Sequence, residues 1–141
     1  MMATSGRLEH AQRGSVRADL VAESPSLLAP LDDVQALVET GLYSSATKRF
    51  GEFRHAAERH LYEEEHFLFP YVHGELEPSI QQIREEHRSL ADSIDQLATA
   101  LAYWEQARCV KLIAELKVKL AALHQLEARC LSAMIEAQQD R

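Results

Sequence analysis

Three long stretches of the chain place apolar residues at intervals of three and four, and that interval constrains the fold more than any other feature. A period near 3.6 describes one face of an α-helix. The first stretch carries Phe50, Phe53, Ala57, Leu61, Phe67 and Leu68. The second carries Ile80, Ile83, Leu90, Ile94, Leu97 and Leu101, and the third Leu112, Ile113, Leu116, Leu120, Leu123, Leu131 and Met134. Stripes of this kind have to be buried against one another. Helix breakers are scarce, with 5 Gly and 4 Pro, while Ala, Leu, Glu and Gln abound, a balance that gives little support to a sheet.

The punctuation sets the boundaries. Residues 1–18 are polar, with Gly6, Gly14 and scattered arginines, and read as a loose N-terminal tail ahead of a bundle at 19–141. A weaker first helix is expected from about Asp19 to Thr40. Pro25 and Pro30 interrupt it, so its regular part should start near Leu31 and stop at Gly41, a C′ glycine. Ser44 or Ser45 should cap the second helix, which ends by Pro70. A turn at His73-Gly74 follows, and Pro78 opens the third helix as a first-turn proline. The fourth starts after Trp104 and runs to about Ala137. Four helices with short connections predict an all-α, up-down-up-down four-helix bundle. With 141 residues, 46% of them hydrophobic, one domain with one core is expected.

Charge and composition exclude several function classes. A formal charge of −7 argues against a nucleic-acid partner, because phosphate binding wants a basic surface. No stretch approaches the roughly 20 apolar residues that cross a bilayer, and Met1 to Val16 lacks the apolar core of a signal peptide. A cytoplasmic location is the expectation. Cys109 and Cys130 have no CxxC spacing, so neither a disulfide framework nor a thiolate zinc site is expected, and both read as small packing residues. No phosphate loop, nucleophile–base pair or substrate-binding motif appears, which makes an enzyme the least favoured class.

The informative residues are the titratable ones inside the apolar stripes. At about 100° per residue, Glu64 falls near the centre of the second helix's stripe, with His60 one turn earlier on the same face. His55, Glu63, Glu65 and His66 point away, toward water. His87 falls between Ile83 and Leu90 on the third helix. On the fourth, Glu127 falls near the stripe centre and His124 at its edge. Each has a plainer explanation: His87 as a satisfied core histidine, His60 and Glu64 as a hydrogen-bonded pair, Glu127 as the acceptor for a core histidine. Burying a carboxylate without a partner costs several kcal/mol, so the set needs cations or donors close by. Imidazoles and carboxylates converging from facing helices are how metal sites are built in bundle cores. Nitrogen and oxygen donors without a thiolate suit iron, manganese or zinc better than soft metals.

These residues also resemble a known family. The string from His60 to Pro70 (His-Leu-Tyr-Glu-Glu-Glu-His-Phe-Leu-Phe-Pro) looks like the HxxxEExxLFP motif of hemerythrin-like, cation-binding HHE domains. Glu85-Glu86-His87 resembles the EH motif of their third helix. The segment from Ala22 to Gly41 resembles their first helix, and Leu123-His124 followed by Glu127 resembles their fourth-helix HxxxE motif. The resemblance spans roughly residues 19–137. It implies a hemerythrin-like four-helix bundle and, in many members, a non-haem diiron centre that carries or senses oxygen, handles nitric oxide, or supplies or senses iron. Carried over residue by residue, it puts His60, Glu64, His87 and His124 at ligand-like positions, with Glu64 as a bridging carboxylate.

The departures from that pattern are specific. Ser24, followed by Pro25, stands where a first-helix histidine belongs. Ala128 stands where the fourth-helix acid belongs, four residues after His124. Ala91 stands where oxygen carriers have an extra third-helix histidine. Glu127 could replace the missing acid, or a one-residue shift could place Glu127 on the acid position and Leu123 on the histidine position. The expected metal set is therefore His60, Glu64, His87, His124 and Glu127, enough for a mononuclear or impaired dinuclear site. Iron is the leading candidate, with zinc or manganese behind it and a small ligand such as dioxygen or nitric oxide. The competing expectation is a metal-free bundle serving as an interaction or regulatory module. The irregular first helix leaves one side weakly covered, which pairing into a homodimer would bury.

Overall fold

The computed structural model describes residues 27–72 and 74–139. Four helices make up almost all of them: α1 Leu28–Glu39, α2 Tyr43–Glu63, α3 Glu77–Ala102 and α4 Gln106–Gln139. No strand occurs among the described residues. Each helix packs against its neighbours in the chain, and α1 also packs against α4, which closes the ring of an up-down-up-down bundle. Among the described residues no helix is long and apolar enough to cross a membrane.

The regular part of the first helix begins at Leu28 and buries Leu31, Val34 and Val38. Pro30 falls in its first turn, where the missing N–H costs no helical hydrogen bond. The stretch from Asp19 to Ser26, with Ser24 and Pro25, and the tail at 1–18 lie outside the described residues. Gly41 ends the helix as the sequence suggests, with a φ of 76°. Its N–H bonds to the Val38 carbonyl at 3.1 Å and that of Leu42 to the Leu37 carbonyl at 2.9 Å, the paired bonds of a Schellman ending. The expected serine cap is not used. Helix α2 starts at Tyr43, earlier than either serine, and has no side-chain cap, because the Schellman turn already delivers the chain into the helix.

The α3–α4 connection repeats that ending with a tryptophan in the glycine's place. Trp104 has a φ of 51°. It bonds to the Leu101 carbonyl at 3.0 Å, and Glu105 to that of Ala100 at 2.9 Å. A left-handed conformation costs an L-residue about 1 kcal/mol or more. Tyr43 meets the Trp104 side chain edge-on, with centroids 5.0 Å apart, so packing between the two loops offsets the strain. Gln106 Nε2 also donates to the Val38 carbonyl at 3.0 Å, tying the start of α4 to the end of α1.

All six apolar residues expected on α3 are buried, as are Leu112, Ile113, Leu116, Leu120, Leu123 and Met134 of α4. Leu131 is only half-buried and Cys130 takes its place in the core. Cys109 is buried too, and both thiols are free, in keeping with their reading as packing residues. Each of the four helix–helix faces carries a polar tie at its rim. These are Arg49 to Asp33, Arg54 to Asp95, Lys119 to Ser93, and Lys117 to Asp32. Such half-exposed contacts contribute at most about 1 kcal/mol each, so the buried stripes hold the bundle together.

Candidate metal centre

Among the described residues, five polar ones interrupt the core: His60, Glu64, His87, Ser93 and Glu127. Ser93 is accounted for by Lys119, whose ammonium donates to its hydroxyl. The other four meet. Helix α2 supplies His60 in its last turn, and the turn that directly continues it supplies Glu64, four residues on. Helix α3 supplies His87, and α4 supplies Glu127 from the diagonally opposite side. Each is at most 6% exposed.

The distances describe one cluster. His60 Nε2 pairs with Glu64 Oε1 and lies 3.7 Å from Glu127 Oε2. His87 Nε2 lies 3.8 Å from Glu64 Oε2 and 3.6 Å from Glu127 Oε1. His60, Glu64 and Glu127 each offer a donor atom within 4.8 Å of the other two. Burial drives the Glu64 carboxyl up to about 8, helped by the neighbouring Glu127 and opposed by His60. Burial pushes Glu127 the same way, but the polar groups of His60, His87 and Glu64 around it outweigh burial and hold this carboxyl at about 2. Desolvation acts against the His60 imidazolium, yet the two carboxylates overcome it and raise its pKa to about 10. Without a metal the two acids share a proton that belongs to the pair.

The donor chemistry fits one divalent cation. Two carboxylates and two imidazoles, buried together without a thiolate, are hard and borderline ligands. Glu64 Oε2 and both ring nitrogens of His87 are buried and lack a hydrogen bond among the described residues. Buried polar atoms of that kind call for an explanation, and an ion between them supplies one.

The end of α2 shows why a simple helical wheel fails there. After Glu63 the backbone widens into a π-helical turn over Glu64–Leu68, in which the Phe69 N–H reaches back five residues to the Glu64 carbonyl. The extra residue rotates everything that follows. Phe67, expected in the stripe, is 51% exposed, while Leu68 and Phe69 are buried. Leu61 is only half-buried, because His60 occupies the centre of the face. The middle member of the Glu63-Glu64-Glu65 run alone points inward, as the periodicity indicates. The side chains of Glu63 and Glu65 are 30% and 39% exposed.

On α4 the geometry selects between the two registers left open by the sequence. Leu123 and Glu127 are each 1% exposed and face the core. Glu127 thus faces inward, and leucine fills the inward position one turn before it. His124 sits beside them, half-buried, with its Nδ1 lacking a hydrogen bond and with no ion pair to the core carboxylates among the described residues. Ala128 is half-buried. Ala91 is exposed and lines an outer groove beside His87. What the periodicity did not reveal is the packing around His87. Phe69 stacks on its ring at 5.5 Å, and the Arg84 guanidinium lies 5.3 Å from the centre of Phe69.

A helical bundle with carboxylates and imidazoles from three helices meeting in its core is the architecture of a protein that can hold a metal ion. The profile of the hemerythrin HHE cation binding domain matches residues 20–137, and the chain belongs to that family. No curated protein and no solved structure shows significant similarity to it.

Proposed function

We propose that this hemerythrin-like protein binds a single divalent metal ion, iron foremost, on His60, Glu64, His87 and Glu127. The observation that carries the reading is the meeting of two carboxylates and two imidazoles from three helices, with Glu64 Oε2 and His87 Nε2 lacking a hydrogen bond there. One ion rather than two is the reading that the donors among the described residues support. Leu123 stands where a further imidazole would have to reach inward, and the described core face of α1 is aliphatic. Bound iron would supply a Lewis-acidic, redox-active centre suited to sensing or binding dioxygen or nitric oxide, with zinc or manganese as redox-silent or less readily oxidised substitutes. The apolar residues one turn from the ligands along their helices, Ala57, Ile83, Leu90 and Leu123, are buried, which supports a centre kept from water.

The test is metal content of the full chain after anaerobic loading with Fe(II) and removal of excess. About one ion per chain is expected, lost in His60→Ala and in Glu64→Ala. A wild-type chain that retains no metal under these conditions would end the proposal. It would favour the second reading, a metal-free bundle acting as an interaction or regulatory module. That reading draws on Leu123 at the inward position and predicts a melting temperature indifferent to Fe(II) and to chelator.

A further inference from the structure

Consecutive glutamates of the π-helical turn that follows α2 address the two nitrogens of one imidazole. Glu64 Oε2 lies 3.8 Å from His87 Nε2, and Glu65 Oε1 lies 4.0 Å from His87 Nδ1. A regular helix would turn neighbouring side chains about 100° apart. Here the chain widens into the π-helical turn at these two residues, and Glu65 stays along the α2–α3 seam, partly exposed. Arg84, one turn before His87 on α3, bonds through Nε to Glu65 Oε2 at 3.3 Å. Arg84 also lies over Phe69, whose ring stacks on that of His87. Phe69 therefore fixes the plane of the imidazole, and Arg84 fixes the carboxylate that faces its outer nitrogen. His87 Nδ1 is buried and has no other hydrogen-bond partner among the described residues. The roughly 1 Å between the present separation and a hydrogen bond lies within the soft terminal torsion of a glutamate.

We propose that Glu65 is a positioning residue for the metal centre, accepting the Nδ1–H of His87 and so presenting the Nε2 lone pair to an ion held by Glu64 and Glu127. A neutral imidazole carries one ring proton, and a carboxylate at Nδ1 decides that the proton resides there. Carboxylates behind ligating histidines typically contribute 10–100-fold in metal affinity. Glu65 touches no ion itself. Arg84 supports it by holding the other oxygen. The inference rests on the metal reading above and adds a role for a residue that periodicity assigns to the surface.

The experiment titrates the full chain with Zn(II) against a competing chelator and follows the histidine ring N–H signals of the zinc-loaded, 15N-labelled protein. In the wild type the His87 proton is expected on Nδ1, slow to exchange, and identified by its loss in His87→Gln. Glu65→Ala should weaken zinc by about 10–100-fold and let that proton exchange rapidly. Glu65→Gln should recover part of the affinity, because its amide oxygen still accepts. The metal-free melting temperature should stay the same in both variants. Zinc affinity in Glu65→Ala equal to wild type, or a ring proton that stays protected, overturns the role of Glu65 and leaves the metal site standing. A wild-type chain that takes no zinc and no iron removes the site, and with it this inference, which is a separate outcome read from the wild type alone.

Discussion

Replacing Glu127 with leucine should set stability against metal binding in opposite directions. Glu127 is 1% exposed and lies on the α4 stripe between Leu123 and Cys130, so leucine continues an apolar row already present. In the metal-free protein this side chain is costly relative to an apolar one: it has been taken out of water, and its ionised form is tolerated there only because His60, His87 and Glu64 surround it. Its removal leaves the charge count balanced, since His60 keeps Glu64, which then ionises to face it. Exchanging buried ionic groups for apolar ones of similar volume is neutral or stabilising by about 1–4 kcal/mol. We therefore expect metal-free Glu127→Leu to gain about 1–3 kcal/mol, and to melt roughly 3–10 °C higher for a chain of this length. The metal-loaded comparison reverses. At free Fe(II) of about 100 Kd the wild type gains about 2.7 kcal/mol, and the variant loses most of that response. The assay is a pair of anaerobic thermal melts for each protein, one with chelator and one with Fe(II). A metal-free variant that melts below the wild type would refute the reasoning, because the cluster would then be a self-sufficient polar network that holds the bundle together.

Two further outcomes follow from the same geometry. Glu64, raised to about 8 from 4.5, contributes stability that is lost as pH climbs from 4.5 toward 8, and His60, raised to about 10 from 6.5, contributes stability lost between 6.5 and 10. Glu127, lowered to about 2, contributes stability present above 4.5 and lost as pH falls toward 2. Metal-free stability should thus decline through neutral pH, most steeply between 6.5 and 8, by up to about 1.4 kcal/mol per pH unit for each proton, while the gain from added metal grows. Melts across neutral pH with and without metal check this, and a flat metal-free profile would contradict it. The π-helical turn predicts that Phe67→Ser changes stability by less than about 0.5 kcal/mol, whereas Phe69→Ala costs about 3–5 kcal/mol. Urea denaturation of both variants would decide it, and the reverse order would mean that the helix runs on without its extra residue.

The sequence carries the bundle and most of the centre because both depend on one periodicity. On α3 the wheel places His87 between Ile83 and Leu90 without error, since that helix is regular from Glu77 to Ala102. It finds Glu64 and Glu127 for the same reason: each occupies a core position where only an apolar residue would otherwise belong. It fails at Phe67, because a helical wheel assumes a constant turn and the backbone inserts a residue after Glu63. Ser44 and Ser45 go unused as caps because the Schellman ending at Gly41 already carries the chain into α2. The α4 register could not be chosen from motif spacing, since His124 and Glu127 compete for it. Burial of Leu123 makes the choice. The Glu65–Arg84 support of His87 joins side chains on two helices, and a pattern read along one helix at a time has no means to register it.

The two matched loops at Gly41 and Trp104 have a mechanical consequence. They lie at the same end of the bundle, joined by Tyr43 against Trp104 and by the Gln106 bond to Val38. That end is stapled, whereas His60 and Glu64 stand at the far end of α2, beside the irregular chain that leads into α3. A bundle fastened at one end is expected to open first at the other, like a pair of tongs. Amide protons near Gly41 and Glu105 should outlast those of Phe69, Tyr71 and Val72 in exchange.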